Sequence, residues 1–192
     1  AFQQMESDDD FADGLSKAIK DFGESGDITT VDAGQVSSGT FSGSGSGGLK
    51  LTDSLCSAPI KIACQSMLAM TEGGDTVLAN AIGNGVQAMV SAGTVETDIV
   101  GTTIAPPPTS APVPPYSGKA KGTISCQNAS LIAKLISVFS DMKSRYDEEG
   151  FDGDDYLADE MSKEVKSYFT SGTIVTNGTG ALSGTTGSGS IS

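Results

Sequence analysis

Three twenty-residue windows of this chain align without a gap: FADGLSKAIKDFGESGDITT from Phe11, LANAIGNGVQAMVSAGTVET from Leu78 and LADEMSKEVKSYFTSGTIVT from Leu157. They share Ala at the second position (Ala12, Ala79, Ala158), Gly at the sixteenth (Gly26, Gly93, Gly172) and Thr at the twentieth (Thr30, Thr97, Thr176). Positions one, five, nine and twelve are apolar in all three, ending on Phe22, Met89 and Tyr168. Steps of four, four and three trace one face of an α-helix. The shared Gly falls about one turn later, where a left-handed residue stops a helix. Ile28 and Thr30, Val95 and Thr97, and Ile174 and Thr176 then alternate with period two, as a strand does.

Each strand is followed by a loop and a stretch of small residues ending in an aliphatic one: 45–51, 118–125 and 187–192. These read as returning strands whose glycines let another backbone approach closely. Leu49, Ile124 and Ile191 are their apolar anchors and the candidate interaction residues. The first loop is Ser/Gly-rich, and the second, 105–115, is Pro-rich and reads as a stiff extended spacer. The third is a tight turn at Asn177-Gly178. Apolar helices are expected over 52–70, with Thr52 or Asp53 as cap, and over 126–146. The expected fold is therefore α+β, with three pseudo-repeats of helix–helix–strand–loop–strand and small antiparallel sheets. Segment 1–51 is a partial repeat without the leading helix, 52–125 the second repeat and 126–192 the third.

A hydrophobic content of 37 %, 6 % aromatic residues, no Trp and 25 Gly argue against one large core. A net charge of −13 repels phosphate backbones and anionic lipids, so neither direct nucleic-acid binding nor membrane binding is expected. No apolar run reaches the ~18 residues of a membrane-spanning helix. The opening AFQQMESDDD has neither the basic region nor the apolar run of a signal peptide. Cys56, Cys64 and Cys126 form an odd set without CxxC spacing and read as buried free thiols, a Cys56–Cys126 bridge being the alternative. The chain has no His, which removes every Ser-His-Asp and Cys-His arrangement and the commonest zinc ligand.

The acidic turn DEEGFDGDD, 147–155, fails the calcium-loop register, with Phe151 and Asp152 at the fifth and sixth places. It reads instead as a helix start, where carboxylates meet free N–H groups. GSGSGG, 43–48, lacks the Gly-Lys-Ser/Thr ending of a phosphate loop. Asn128-Ala-Ser and Asn177-Gly-Thr match the glycosylation pattern without a secretion signal to support its use. Lys119 and Lys121 make a small basic spot that reads as a solvated loop, with an acidic partner as the alternative. No catalytic residue, metal ligand or cofactor is expected.

The order helix, SGTVTT-like strand (SGTIVT at 171–176), Thr/Pro/Gly loop and closing TGSGSIS resembles small virion structural proteins of tailed bacteriophages. Leu157–Thr176 with Gly187–Ser192 carry the resemblance, and Leu78–Thr97 with Gly118–Ser125 follow less closely. The resemblance implies a non-enzymatic assembly protein of the head, neck, tail or baseplate, located in the virion and assembled in the host cytoplasm. It implies other virion proteins as partners in a symmetric assembly. The contacts expected from the residues themselves are the helices and the Gly/Ser/Thr-rich strand edges; these edges lack bulk to bury and can be held by strand addition to a neighbour's sheet. The alternative is a repeat protein of the bacterial surface or a secreted one, such as a filament or adhesin subunit. If the 147–155 turn is only a helix start, EDTA leaves the melting temperature unchanged. A loss reversed by calcium would place a cation there.

Overall fold

A computed structural model describes residues 8–105 and 112–192, without the side chains of Asp8 and 112–115. It is α+β, with five α-helices: α1 (Asp8–Ser25), α2 (Ser54–Met67), α3 (Gly74–Ser91), α4 (Asn128–Arg145) and α5 (Gly153–Thr170). Six strands alternate with them in pairs: β1 (Ile28–Val36), β2 (Gly39–Lys50), β3 (Thr94–Ile104), β4 (Pro112–Ser125), β5 (Thr173–Gly178) and β6 (Thr185–Ile191). Each of the three aligned windows runs from a helix into a strand.

The small separate sheets expected from the sequence are replaced by one closed antiparallel barrel in the order β1 to β6. β6 returns to β1, with Ile28 opposite Ile191 and Asp32 opposite Gly187. An isolated hairpin leaves N–H and C=O groups bare on both outer edges, and pairing hairpin to hairpin satisfies most of them, although β4 runs past β5 from Pro112 to Gly118. Closure gives each of the six described strands a neighbour on both sides, so the sheet edge open to strand addition among the described residues is reduced to short stretches such as Pro112 to Gly118 of β4, which β5 does not reach.

The hairpins are longer than expected because residues read as loop pair as strand. Val31–Val36 face Ser44–Gly39 across β1 and β2. Asn177 and Gly178 belong to β5, and the turn after them is a single 3-10 turn, Gly180–Leu182. Within the Pro-rich spacer, 106–111 lie outside the described residues, but Pro112 and Val113 pair with Ile104 and Thr103 in β4. Proline is tolerated at the start of a strand, where the missing N–H is not needed by the ladder.

The helix stops differ from expectation too. The left-handed glycines are Gly39, Gly73, Gly150, Gly180 and Gly184; Gly26, Gly93 and Gly172 are not among them. At Gly26 the demand is for space: a Cβ there would lie 2.6 Å from Ile191 Cδ1. Gly93 and Gly172 are buried at the helix-to-strand passage.

Two compact units divide the chain, and each segment 1–51, 52–125 and 126–192 contributes to both. The helical unit comprises 1–21, 52–90 and 126–169; the barrel unit comprises 22–51, 91–125 and 170–192. In the helical unit α2 and α3 approach so closely that a Cβ on Gly85 would sit 3.0 Å from Cys56 Cα. α4 and α5 are tied by the Tyr156 hydroxyl, which donates to Asp141. In the turn between them, the Arg145 guanidinium lies 4.5 Å from the Phe151 ring centre. Asp152 Oδ1 accepts from the backbone N–H groups of Asp154 and Asp155, both at 3.1 Å, so the acidic turn caps α5. Leu135 is fully buried. Leu135→Ala is expected to cost ~2–5 kcal/mol in urea unfolding; an unchanged midpoint would mean that the residue is not in a packed core.

Candidate functional site in the barrel

A sheet closed at six strands encloses little volume, and the inward residues show it. β1, β3 and β5 present the same inward pair, an aliphatic residue and then a threonine: Ile28 and Thr30, Val95 and Thr97, Ile174 and Thr176. All six are at most 3 % exposed. The Thr shared by the three windows is thus a buried barrel residue. Phe41, Ile99, Ala120 and Leu182 pack together further along, with Val36 and Tyr116 against them.

Asp32, two residues beyond Thr30, is fully buried. The Thr30 hydroxyl donates to its Oδ2 at 2.6 Å. The Thr176 hydroxyl donates to its Oδ1 at 3.3 Å. Glycine on the neighbouring strands makes room for this group. A Cβ on Gly187 would lie 2.1 Å from Asp32 Oδ1 and 2.4 Å from Thr176 Oγ1. A Cβ on Gly45 would lie 2.4 Å from Thr30 Oγ1, 3.0 Å from Asp32 Oδ2 and 3.2 Å from Thr97 Oγ1. The hydroxyls of all three windows therefore converge near one carboxyl. Thr97 Oγ1 is buried and has no hydrogen-bond partner among the described residues. Sequence reasoning missed Asp32; the available signal was an acid at an inward step of the Ile28, Thr30, Asp32 alternation.

The candidate interaction residues sit elsewhere. Leu49, Ile124 and Ile191 are 3 %, 3 % and 5 % exposed, so each is buried within this chain. Leu49 pairs across strands with Val95, Ile124 with Ile174 and Ile191 with Ile28. On the barrel's outside, Lys50, Lys119 and Lys121 line a shallow cleft of about 570 Å³ with Glu24, Glu96 and Asp98. Lys119 pairs with Asp98 at 3.1 Å and Lys121 with Glu96 at 3.0 Å. The Lys121 hydrogen bond holds the Glu96 carboxyl below its usual range. These pairs are open to water and add little stability. Among the described residues no group of three or more His, Cys, Asp or Glu is placed to hold a metal ion, and no helix is long and apolar enough to cross a membrane.

None of the three cysteines is in a disulfide; Cys56 and Cys126 are buried and Cys64 is half-buried. Burial pushes the Cys126 thiol up to about 11, against a smaller opposing effect of its hydrogen bond with Tyr168. Burial, followed by the neighbouring Cys126, also raises Tyr168, whose hydroxyl donates to Gln87 at 3.0 Å. Comparison with protein-family models, with curated proteins and with solved structures finds no match to this chain.

Two expectations follow for this chemistry. Gly187→Ala drives a methyl group into the Asp32 carboxyl, and a loss of ~1–3 kcal/mol is expected by urea unfolding; wild-type stability would show that the barrel has slack there. The Cys126 thiol keeps its proton in the folded chain up to about 11, whereas an unfolded thiol loses it near 9.0. The native state then binds more protons across that window, so stability is full below the lower value and falls as the pH rises toward the upper. Cys126→Ala should flatten this part of the stability–pH curve, and an unchanged slope would remove Cys126 as its cause.

Proposed function

We propose that this chain is a non-enzymatic structural component of a bacteriophage virion that binds other virion proteins. The observation that carries the reading is the outer wall of the barrel. Ser42, Ser44 and Ser46 on β2 and Thr186, Ser188 and Ser190 on β6 all point outward, flanking Thr29, Val31 and Ala33 on β1. Across the strands Val175 faces Ser188, Ser188 faces Val31, Val31 faces Ser44 and Ser44 faces Val100. The three valines are 50 %, 71 % and 59 % exposed. Uncharged, short side chains on a rigid closed sheet lose little conformational entropy when covered by another protein, which favours permanent assembly contacts.

The distribution of charge supports the same reading. The helical unit has eight Lys and Arg against nineteen Asp and Glu, so it carries −11 of the net −13. The barrel unit has three against five and carries −2. A nearly neutral, hydroxyl-rich unit suits packing against other chains. An acidic unit suits solubility or a basic neighbour.

We also read the three helix–hairpin units as copies of one ancestral unit. The common inward Ile/Val-x-Thr step supports this together with the gapless windows. The second reading, a bacterial surface or secreted repeat protein, draws on the same Ser/Thr-rich barrel. Peptides of this chain in purified phage particles would support the first reading. Their absence there and recovery from the bacterial surface would support the second. Val31→Asp is expected to leave the melting temperature within a degree or so, as exposed sites do, while lowering incorporation into particles. Wild-type incorporation would take the outer wall out of the assembly role.

A further inference from the structure

The carboxyl of Asp32 poses a charge problem. It is fully buried in the barrel, and no described Lys or Arg is buried with it. The barrel unit's only basic side chains, Lys50, Lys119 and Lys121, are all exposed. A buried carboxylate costs several kcal/mol unless an opposite charge or enough donors accompany it. Two hydroxyls donate to it, Thr30 at 2.6 Å and Thr176 at 3.3 Å. A third oxygen, Thr97 Oγ1, is buried near the same point and unpartnered. Glycine at 45 and 187 keeps carbon away from these oxygens. The donor set is therefore one carboxylate and three neutral hydroxyls, all hard oxygen ligands.

We propose that the barrel interior binds one monovalent cation of sodium size against Asp32, with Thr30, Thr97 and Thr176 as the remaining oxygen ligands. The single negative charge sets the valence. A divalent ion would leave an uncompensated positive charge in the barrel, where no second carboxylate is buried among the described residues. The hard oxygen set excludes thiophilic metals. Each of β1, β3 and β5 supplies one hydroxyl, so an ion held here ties together all three hairpins. Its role is structural, and its binding free energy adds to folding free energy by mass action.

The test uses the full chain, melted at one pH and one ionic strength in sodium chloride and in choline chloride, whose cation is too large to enter. Wild type is expected to melt several degrees higher in sodium chloride, by an amount that grows with sodium concentration at fixed ionic strength. Asp32→Asn keeps the shape and removes the charge, and is expected to melt at the same temperature in both salts. Thr97→Val removes only the unpartnered hydroxyl and is expected to reduce the sodium-dependent shift by at least half. This second variant decides the question if Asp32→Asn does not fold. Equal melting of the wild type in both salts would overturn the proposal. A sodium shift retained at full size in both variants would overturn it as well, by moving the ion elsewhere.

Discussion

The narrowness of the six-stranded barrel is the constraint on which its architecture depends. Side chains cannot fill every inward position of so tight a cylinder, so glycine must stand at many of them. Gly43, Gly45 and Gly187 each lie against another residue's side chain at a distance no Cβ could tolerate. The inward residues that remain come mostly from β1, β3 and β5, and their Ile/Val-x-Thr steps build the interior from three similar contributions. The low hydrophobic content of the chain is thus a property of a sheet that closes on glycine.

That constraint also explains which parts of the fold were legible. The helices over 54–67 and 128–145 and the strands after each aligned window follow from apolar periodicity and β-branched alternation. Barrel closure does not. In β2 the run Ser42 to Ser46 alternates outward Ser with inward Gly, a period-two pattern carrying no hydrophobic contrast. It looks like a linker because both faces consist of small residues. Nothing in such a stretch says which strand lies beside it. Gly26, Gly93 and Gly172 lie just past the ends of α1, α3 and α5, but none is left-handed, and Gly26 answers to the bulk of Ile191, a residue distant in sequence.

The buried site was half legible for a related reason. Alignment of the windows exposed the common threonines, yet a threonine at an alternating position reads equally well as solvent-facing. Only the closed barrel turns Thr30, Thr97 and Thr176 inward around Asp32. The valines of the outer wall are the converse case. Val31, Val100 and Val175 look like core residues by composition, but the register places them outside. In both cases the same two-residue period is read on the opposite face once the neighbours are known.

The pairing of β1 with β6 has a kinetic consequence. It joins Ile28 to Ile191, two residues separated by nearly the whole chain. Every other strand pair is joined by fewer intervening residues, so this seam faces the largest loop-closure entropy of the barrel. Until it forms, a partly folded molecule is an open sheet with two bare edges, β1 on one side and the Ser/Thr/Gly-rich β6 on the other. Such edges pair readily with those of another molecule in the same state. High concentration during refolding would therefore favour exchange of β6 between chains, giving linked dimers with the same register as the monomer.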